Sequence, residues 1–144
     1  MYKTILLPLE NSRADKTILR HIEELARIHG SRLLLMHVAD GWAARNYDRL
    51  ALRESEEMKT DRDYLDVMCE DLRAKGFQAD YYLAHGEPAQ EIIRLVAEQH
   101  VDLIAMSTHG HGLVKDWIFG SVSRSVRHNV NVPVLLLKAA VPNR

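Results

Sequence analysis

Four stretches of this chain are apolar over the whole length of a β-strand: TILLPL ending at Leu9, RLLLMHV from Arg32 to Val38, the run from Val101 to Met106, and VPVLLLK from Val132 to Lys138. A strand with one face in water would alternate polar and apolar residues. These runs do not, so they fit strands covered on both faces, as in a parallel sheet. Pro8 has no N–H to donate and suits the mouth of the first run. A further run, FQADYYLA from Phe77 to Ala84, alternates more and is more aromatic, which marks it as an edge strand.

Helical signals fall between the strands. Ser12 with Asp15 three residues on forms a capping box; Ile18, Ile22, Leu25 and Ala26 follow at helical spacing, and Gly30 is placed to end the helix. From Leu50 to Lys75 charges dominate, but Leu65, Met68, Cys69 and Leu72 form an apolar stripe bordered by Tyr64, and Gly76 stops it. Pro88 opens a third helix, in which Ala89, Ile92, Ile93, Val96 and Ala97 repeat at i, i+3, i+4, i+7 and i+8. A fourth is expected from about Ser121 to His128. Asp40 to Arg49 has no period and is expected to be a mobile loop.

Five strands alternating with four helices predict an open, parallel α/β sheet with helices on both faces and right-handed crossovers. Ligands bind such sheets outside the carboxyl ends of the strands, where the winding reverses. Pro8 to Glu10, His37 to Asp40 and Met106 to Gly112 all lie at carboxyl ends, so three stretches are expected to meet in one crevice. At 144 residues the chain, 1–144, is expected to be one domain. A net charge of −1 gives no global pull toward nucleic acid or membrane, and neither is expected as a partner. Cys69 is the one cysteine, which excludes an internal disulfide and fits reducing cytosol. With no secretory leader pattern and no apolar run near the ~20 residues that span a bilayer, a cytoplasmic protein is expected.

The stretch from Val101 to Val126 carries the chemistry. A buried strand breaks at Ser107 into a small, polar loop, and Gly120 and Ser121 stand just ahead of Val122 and Val126, one helical turn apart. Unpaired N–H groups and the positive end of the helix dipole favour an anion at such a start, and glycine lets backbone approach it closely. The order strand, glycine loop, helix start is therefore a candidate phosphate cradle. A glycine loop that only turns the chain is the alternative.

These residues resemble the universal stress proteins over essentially the whole chain. The ATP-binding members carry G-x2-G-x9-G-[ST]. Gly110, nine intervening residues, Gly120 and Ser121 match its second and third parts, while Ser107 stands at its first glycine, where it is expected to narrow the room for backbone approach to the ribose or phosphates and so favours a nucleotide-free protein. The family's P-x-D appears as Pro8, Leu9, Glu10, one methylene longer in its acid. The resemblance implies a Rossmann-like fold of the adenine nucleotide alpha hydrolase kind, with strand order 3-2-1-4-5 and the nucleotide across strands one and four.

By the same resemblance, backbone around Leu9 and Val38 would meet adenine. Glu10 and Gly110 would lie near the ribose, and the turn formed by Gly120, Ser121, Val122 and Ser123 would hold the phosphates of ATP, or of AMP or ADP, with Mg2+. Met106, Ser107 and His109 complete the expected lining. The family pairs two copies through the fifth strand, here Val132 to Leu137, which fits an apolar edge that another chain would cover. The function implied is an ATP-binding stress-response regulator acting as a homodimer. The alternatives are a nucleotide-free dimer working through protein contacts, or a slow ATP hydrolase.

Other chemistry-bearing residues take plainer assignments. His109 and His111 form an H-x-H pair, but no acid or cysteine adjoins them, so no metal site is expected. His37 is expected to be packed or hydrogen-bonded, and no G-x-S-x-G elbow surrounds Ser121 or Ser123. Glu10 alone lacks the charge-neutralising partners that phosphoryl transfer requires, so no catalytic residue is assigned. Lys115 could supply positive charge, while Arg124, Arg127 and the charged run from Arg53 to Asp63 are expected on solvated surface. Trp42 and Tyr47 could form a lid over the base, cover apolar surface or contact a partner.

Overall fold

A computed structural model describes residues 1–40, 47–108 and 116–138, with side chains for all of these except 40, 47–59, 108 and 116–121. In chain order the elements are β1 (Thr4–Pro8), α1 (Ala14–His29), β2 (Arg32–Asp40), α2 (Tyr47–Ala74), β3 (Gln78–Gly86), α3 (Pro88–Glu98), β4 (Leu103–Thr108), α4 (Asp116–Asn129) and β5 (Val134–Lys138). The strands form one sheet in the order β3-β2-β1-β4-β5, and every pair is parallel. The expected order and alternation are therefore those observed.

The apolar runs are covered on both sides. Ile5, Leu7, Leu33, Leu35, Leu103 and Ala105 pack with Ile18 and Ile22 of α1 and Leu65, Cys69 and Leu72 of α2. Alternate residues, Leu6, Leu34, Met36, Ile104 and Met106, pack on the opposite face with Ala89, Ile92, Leu95 and Val96 of α3 and Val122 and Val126 of α4. One helix pair per face leaves the winding to reverse between β1 and β4. The strand ends there open a crevice.

Local signals end the elements as the residue types dictate. Gly30 closes α1 in the left-handed conformation, φ 65°, its N–H donating to the Ala26 carbonyl. Pro88 stands at the start of α3, where Glu87 caps by accepting from the Gln90 amide. At the amino ends of the strands, the Asp102 carboxylate accepts from the amides of Lys3 (2.8 Å) and Thr4 (3.0 Å), extending the β1–β4 seam. On the same rim Arg32 of β2 reaches Asp80 of β3 and Gln99 beyond α3.

Several boundaries differ from expectation; β3 runs two residues further, to Gly86, and β5 begins at Val134, not Val132. β2 runs on through Asp40, and Tyr47–Arg49 belong to α2, so the expected loop is shorter; Gly41 to Asn46 lie outside the described residues. β4 begins two residues later than its apolar run, because Val101 is still closing the turn with its amide on the Val96 carbonyl. α4 begins at Asp116, not Ser121. Gly120 and Ser121 are thus inside the helix, and Gly120 did not interrupt it.

Leu34 is fully buried in the middle of β2. Leu34→Ala should lower unfolding free energy by about 2–5 kcal/mol through lost transfer energy and the cavity left behind. Urea denaturation should show this as a lower midpoint at unchanged slope.

Candidate functional site

The crevice is built from the ends of β1, β2 and β4. Pro8 closes β1 in register with Met36 of β2. Leu9 prolongs the pairing, its amide donating to the Met36 carbonyl, and its side chain is buried in the core. Val38 lies near the end of β2 and is half-buried. Met106 and Ser107 sit near the end of β4, both buried. The expected residues on these three strands do come together at neighbouring strand ends.

Ser107 bears most directly on the altered motif. It shares a parity along β4 with Leu103 and Ala105, which face α1, and its Oγ donates to the Ala14 carbonyl at 3.1 Å. The hydroxyl is thus spent on the start of α1. Its side chain does not stand across the route between β1 and β4, as the comparison of serine with glycine had suggested.

Asp15 organises the other side. Its carboxylate is 2 % exposed and accepts from the amides of Glu10 (3.1 Å), Asn11 (2.9 Å) and Ser12 (3.2 Å), and from the Tyr64 hydroxyl of α2 (2.6 Å). Ser12 Oγ accepts from the Ala14 amide and donates to Glu10 Oε1 at 2.5 Å. Of the expected capping box only one half forms: Asp15 accepts from the Ser12 amide, while its own amide donates to the Ser12 carbonyl and not to Oγ. The acid of the first turn instead gathers the amides of the loop that leads into α1.

Burial pushes the Asp15 carboxyl up, and the hydrogen bonds from Tyr64, Glu10 and Ser12 pull it only part of the way back. Tyr64 is likewise pushed up, by burial first and by the Asp15 charge second.

His37, near the end of β2, engages both ring nitrogens. Nδ1 lies 2.8 Å from the Leu9 carbonyl, which can only accept, so Nδ1 carries a proton. Nε2 lies 3.3 Å from Asp61 Oδ2 of α2, and Asp61 Oδ1 accepts from Asn11 Nδ2 at 3.2 Å. Neither nitrogen is left to take a proton from a substrate. Asp61 was expected on a solvated face, yet its side chain is only 18 % exposed, because β2 brings a histidine beneath it.

The remaining expected residues lie on or beyond α4. His109 and Gly110, with His111 and Lys115, are outside the described residues, as is Trp42. Gly120 and Ser121 are placed within α4, where a helix starting at Asp116 has its unpaired amides at the four positions from Asp116 to Phe119. The expected turn at Gly120 to Ser123 is therefore corrected to helix. Val122 and Ser123 are buried, Val122 in the core under α4. No cluster of three or more His, Cys, Asp or Glu able to hold a metal occurs among the described residues.

Sequence reasoning missed the joint made by Asn11, Asp15, Asp61 and Tyr64. Asp61 and Tyr64 are three apart on a helix and so share a face, which was the one available sign. Asn11 sits at φ 61°, a region asparagine tolerates better than most residues.

Comparison with known proteins gives a consistent result. Residues 1–138 match the family model described as the universal stress protein family. A universal stress protein of Thermus aquaticus is 31% identical over 96% of this chain and 100% of its own length. One from Methanocaldococcus jannaschii is 26% identical, covering 96% of each. The solved structure of a Methanocaldococcus jannaschii protein superposes with a TM-score of 0.81 at 25% identity, covering 99% of both chains. A universal stress protein from Archaeoglobus fulgidus, solved in complex with dAMP, gives 0.69 at 25% identity over 95% of this chain and 98% of that one.

The Asp15 carboxyl has a defined pH signature. Its folded pKa stands above the ordinary 3.8, so the folded state holds the proton to higher pH than the unfolded chain does. Stability from this group is greatest in acid and is lost as pH rises through the folded value. Asp15→Asn, with one accepting oxygen where four donors converge, should cost about 1–3 kcal/mol. In denaturation series the gap between parent and variant should be widest in acid and narrow toward neutrality.

Proposed function

The chain belongs to the universal stress protein family, and from that premise we propose that it is an adenine-nucleotide-binding regulator that works as a cytoplasmic homodimer. The observation that carries this reading is the meeting of the β1, β2 and β4 ends at the point where the winding reverses. The dAMP complex of the Archaeoglobus fulgidus relative supports an adenine nucleotide as the occupant.

In this reading the base lies along the backbone at Leu9 and Val38, and the ribose near Glu10. The phosphates run to the start of α4. The amides of the loop before α1 are taken by Asp15, and that of Ala14 by Ser12, so in this reading the phosphates are assigned to the start of α4. Gly120 and Ser121 follow one turn on, where the missing Cβ lets phosphate lie close. Met106 and Ser107 at the end of β4 lie between; His109 and Gly110, also assigned to the site, are outside the described residues. Mg2+ would arrive with the phosphates and neutralise their charge.

Ser107 no longer favours a nucleotide-free dimer, since its hydroxyl is bonded to Ala14. No hydrolytic step is assigned, because His37, Asp15 and Glu10 are each engaged by other protein groups.

Calorimetry with ATP and magnesium tests the nucleotide. Binding with a matching thermal shift is expected, and no heat and no shift at millimolar ATP would end the reading. Gly120→Val should abolish binding yet leave stability equal or slightly higher, because valine favours a helix more than glycine does. A variant that still binds ATP as the parent does would move the site elsewhere.

The dimer is proposed through β5, which lies at the edge of the sheet with Leu136 37% exposed. Light scattering should give about twice 16.5 kDa. Leu136→Asp should return the value to that of one chain.

A further inference from the structure

The Asp61 carboxylate divides its two oxygens between two stretches of chain that both border the crevice. Oδ1 receives Asn11 Nδ2 from the β1–α1 loop, and Oδ2 faces His37 Nε2 from β2. His37 passes the connection on, since its Nδ1–H holds the Leu9 carbonyl. The loop is thereby fixed at two points, one of them Asn11, whose backbone is in the left-handed region. One turn along α2, Tyr64 holds the same loop through Asp15.

We propose that Asp61 is the positioning residue of the crevice: through His37 and Asn11 it sets the shape of the Leu9–Ser12 loop, and this hold depends on the proton count of His37. The chemistry follows from donors and acceptors alone. Nδ1 must donate to a carbonyl. A carboxylate opposite Nε2 is satisfied only if that nitrogen is also protonated, and a neutral ring sets a lone pair against a negative oxygen.

Among the described residues, the other groups near His37 are engaged elsewhere or uncharged. Glu10 Oε1 is bonded to Ser12, and Asp15 to three amides and Tyr64. The residue in register on β3 is Leu83, which is uncharged, and Arg62 of α2 is exposed. Tyr64 donates to Asp15. Asp61 is thus the charge that the imidazole answers to.

Applied to ligand affinity, the proposal rests on the nucleotide reading above. It makes α2 part of the binding equilibrium, and by linkage an occupied crevice must tighten the docking of α2 by the same factor.

The substitution Asp61→Asn gives an opposite expectation. Its amide oxygen can still accept from Asn11, while its NH2 donates to the Nε2 lone pair of a neutral His37. Acidification that adds the second ring proton should therefore strengthen the hold in the parent and weaken it in Asp61→Asn. Asp61→Leu should be loose throughout.

The test is hydrogen exchange, with protection of the Glu10, Asn11 and Ser12 amides taken relative to Leu34, alongside ATP calorimetry on the same proteins. Loop protection and ATP affinity should rise by roughly tenfold toward acid in the parent and fall in Asp61→Asn. Flat or parallel protection profiles for the two proteins would overturn the proposal. So would inverted profiles that leave ATP affinity unmoved. If the parent binds no ATP at any pH, the nucleotide reading fails by itself, and the exchange profiles alone decide whether Asp61 sets the loop.

Discussion

The two-sided burial of β1 is the constraint from which the architecture follows. Ile5, Leu6 and Leu7 are consecutive and all fully buried, so neither face of the central strand can meet water. Each face needs its own helical layer, and each layer is a pair, α1 with α2 and α3 with α4. With right-handed crossovers, placing the first pair on one side and the second on the other requires the chain to reverse its winding beside β1. The crevice is a product of that reversal and exists before any ligand chemistry is considered.

A strand so dry must still turn, and the turn brings backbone N–H groups into a place where water is scarce. An unpaired buried amide is costly. Asp15 accepts three of them and a tyrosine hydroxyl in addition, which explains why a carboxylate is kept where burial opposes its charge. The same solution fixes the character of the site. The loop into α1 is closed by the protein's own acid, whereas α4 starts at Asp116 across the sheet's point of reversal.

Much of this was legible in the residues. Unbroken apolar runs such as LLL at 33–35 specify strands covered twice, and the Ala89, Ile92 and Val96 spacing specifies a helix face, although Leu95 and not Ala97 completes its buried side. The resemblance added the strand order. The start of α4 was misjudged because Gly120 was weighted as a break, whereas a single glycine costs a helix only about 1 kcal/mol and Val122 and Val126 held the helix to the core. Asp61 was misjudged for a different reason. Charge along a helix says nothing of which residue lies over a neighbouring strand, and its histidine partner is 24 positions away, on β2. Ser107 shows the reverse case. Its identity suggested obstruction, and only strand parity tells which way the hydroxyl turns.

The rim opposite the crevice is joined by side chains as well. There Asp102 holds the amides of Lys3 and Thr4, and Arg32 spans from Asp80 to Gln99. With Asp15, His37 and Asp61 fastening the other margin, the strands are pinned at both ends. A guest would therefore meet a frame already set, and its admission would ask for no melting of the sheet.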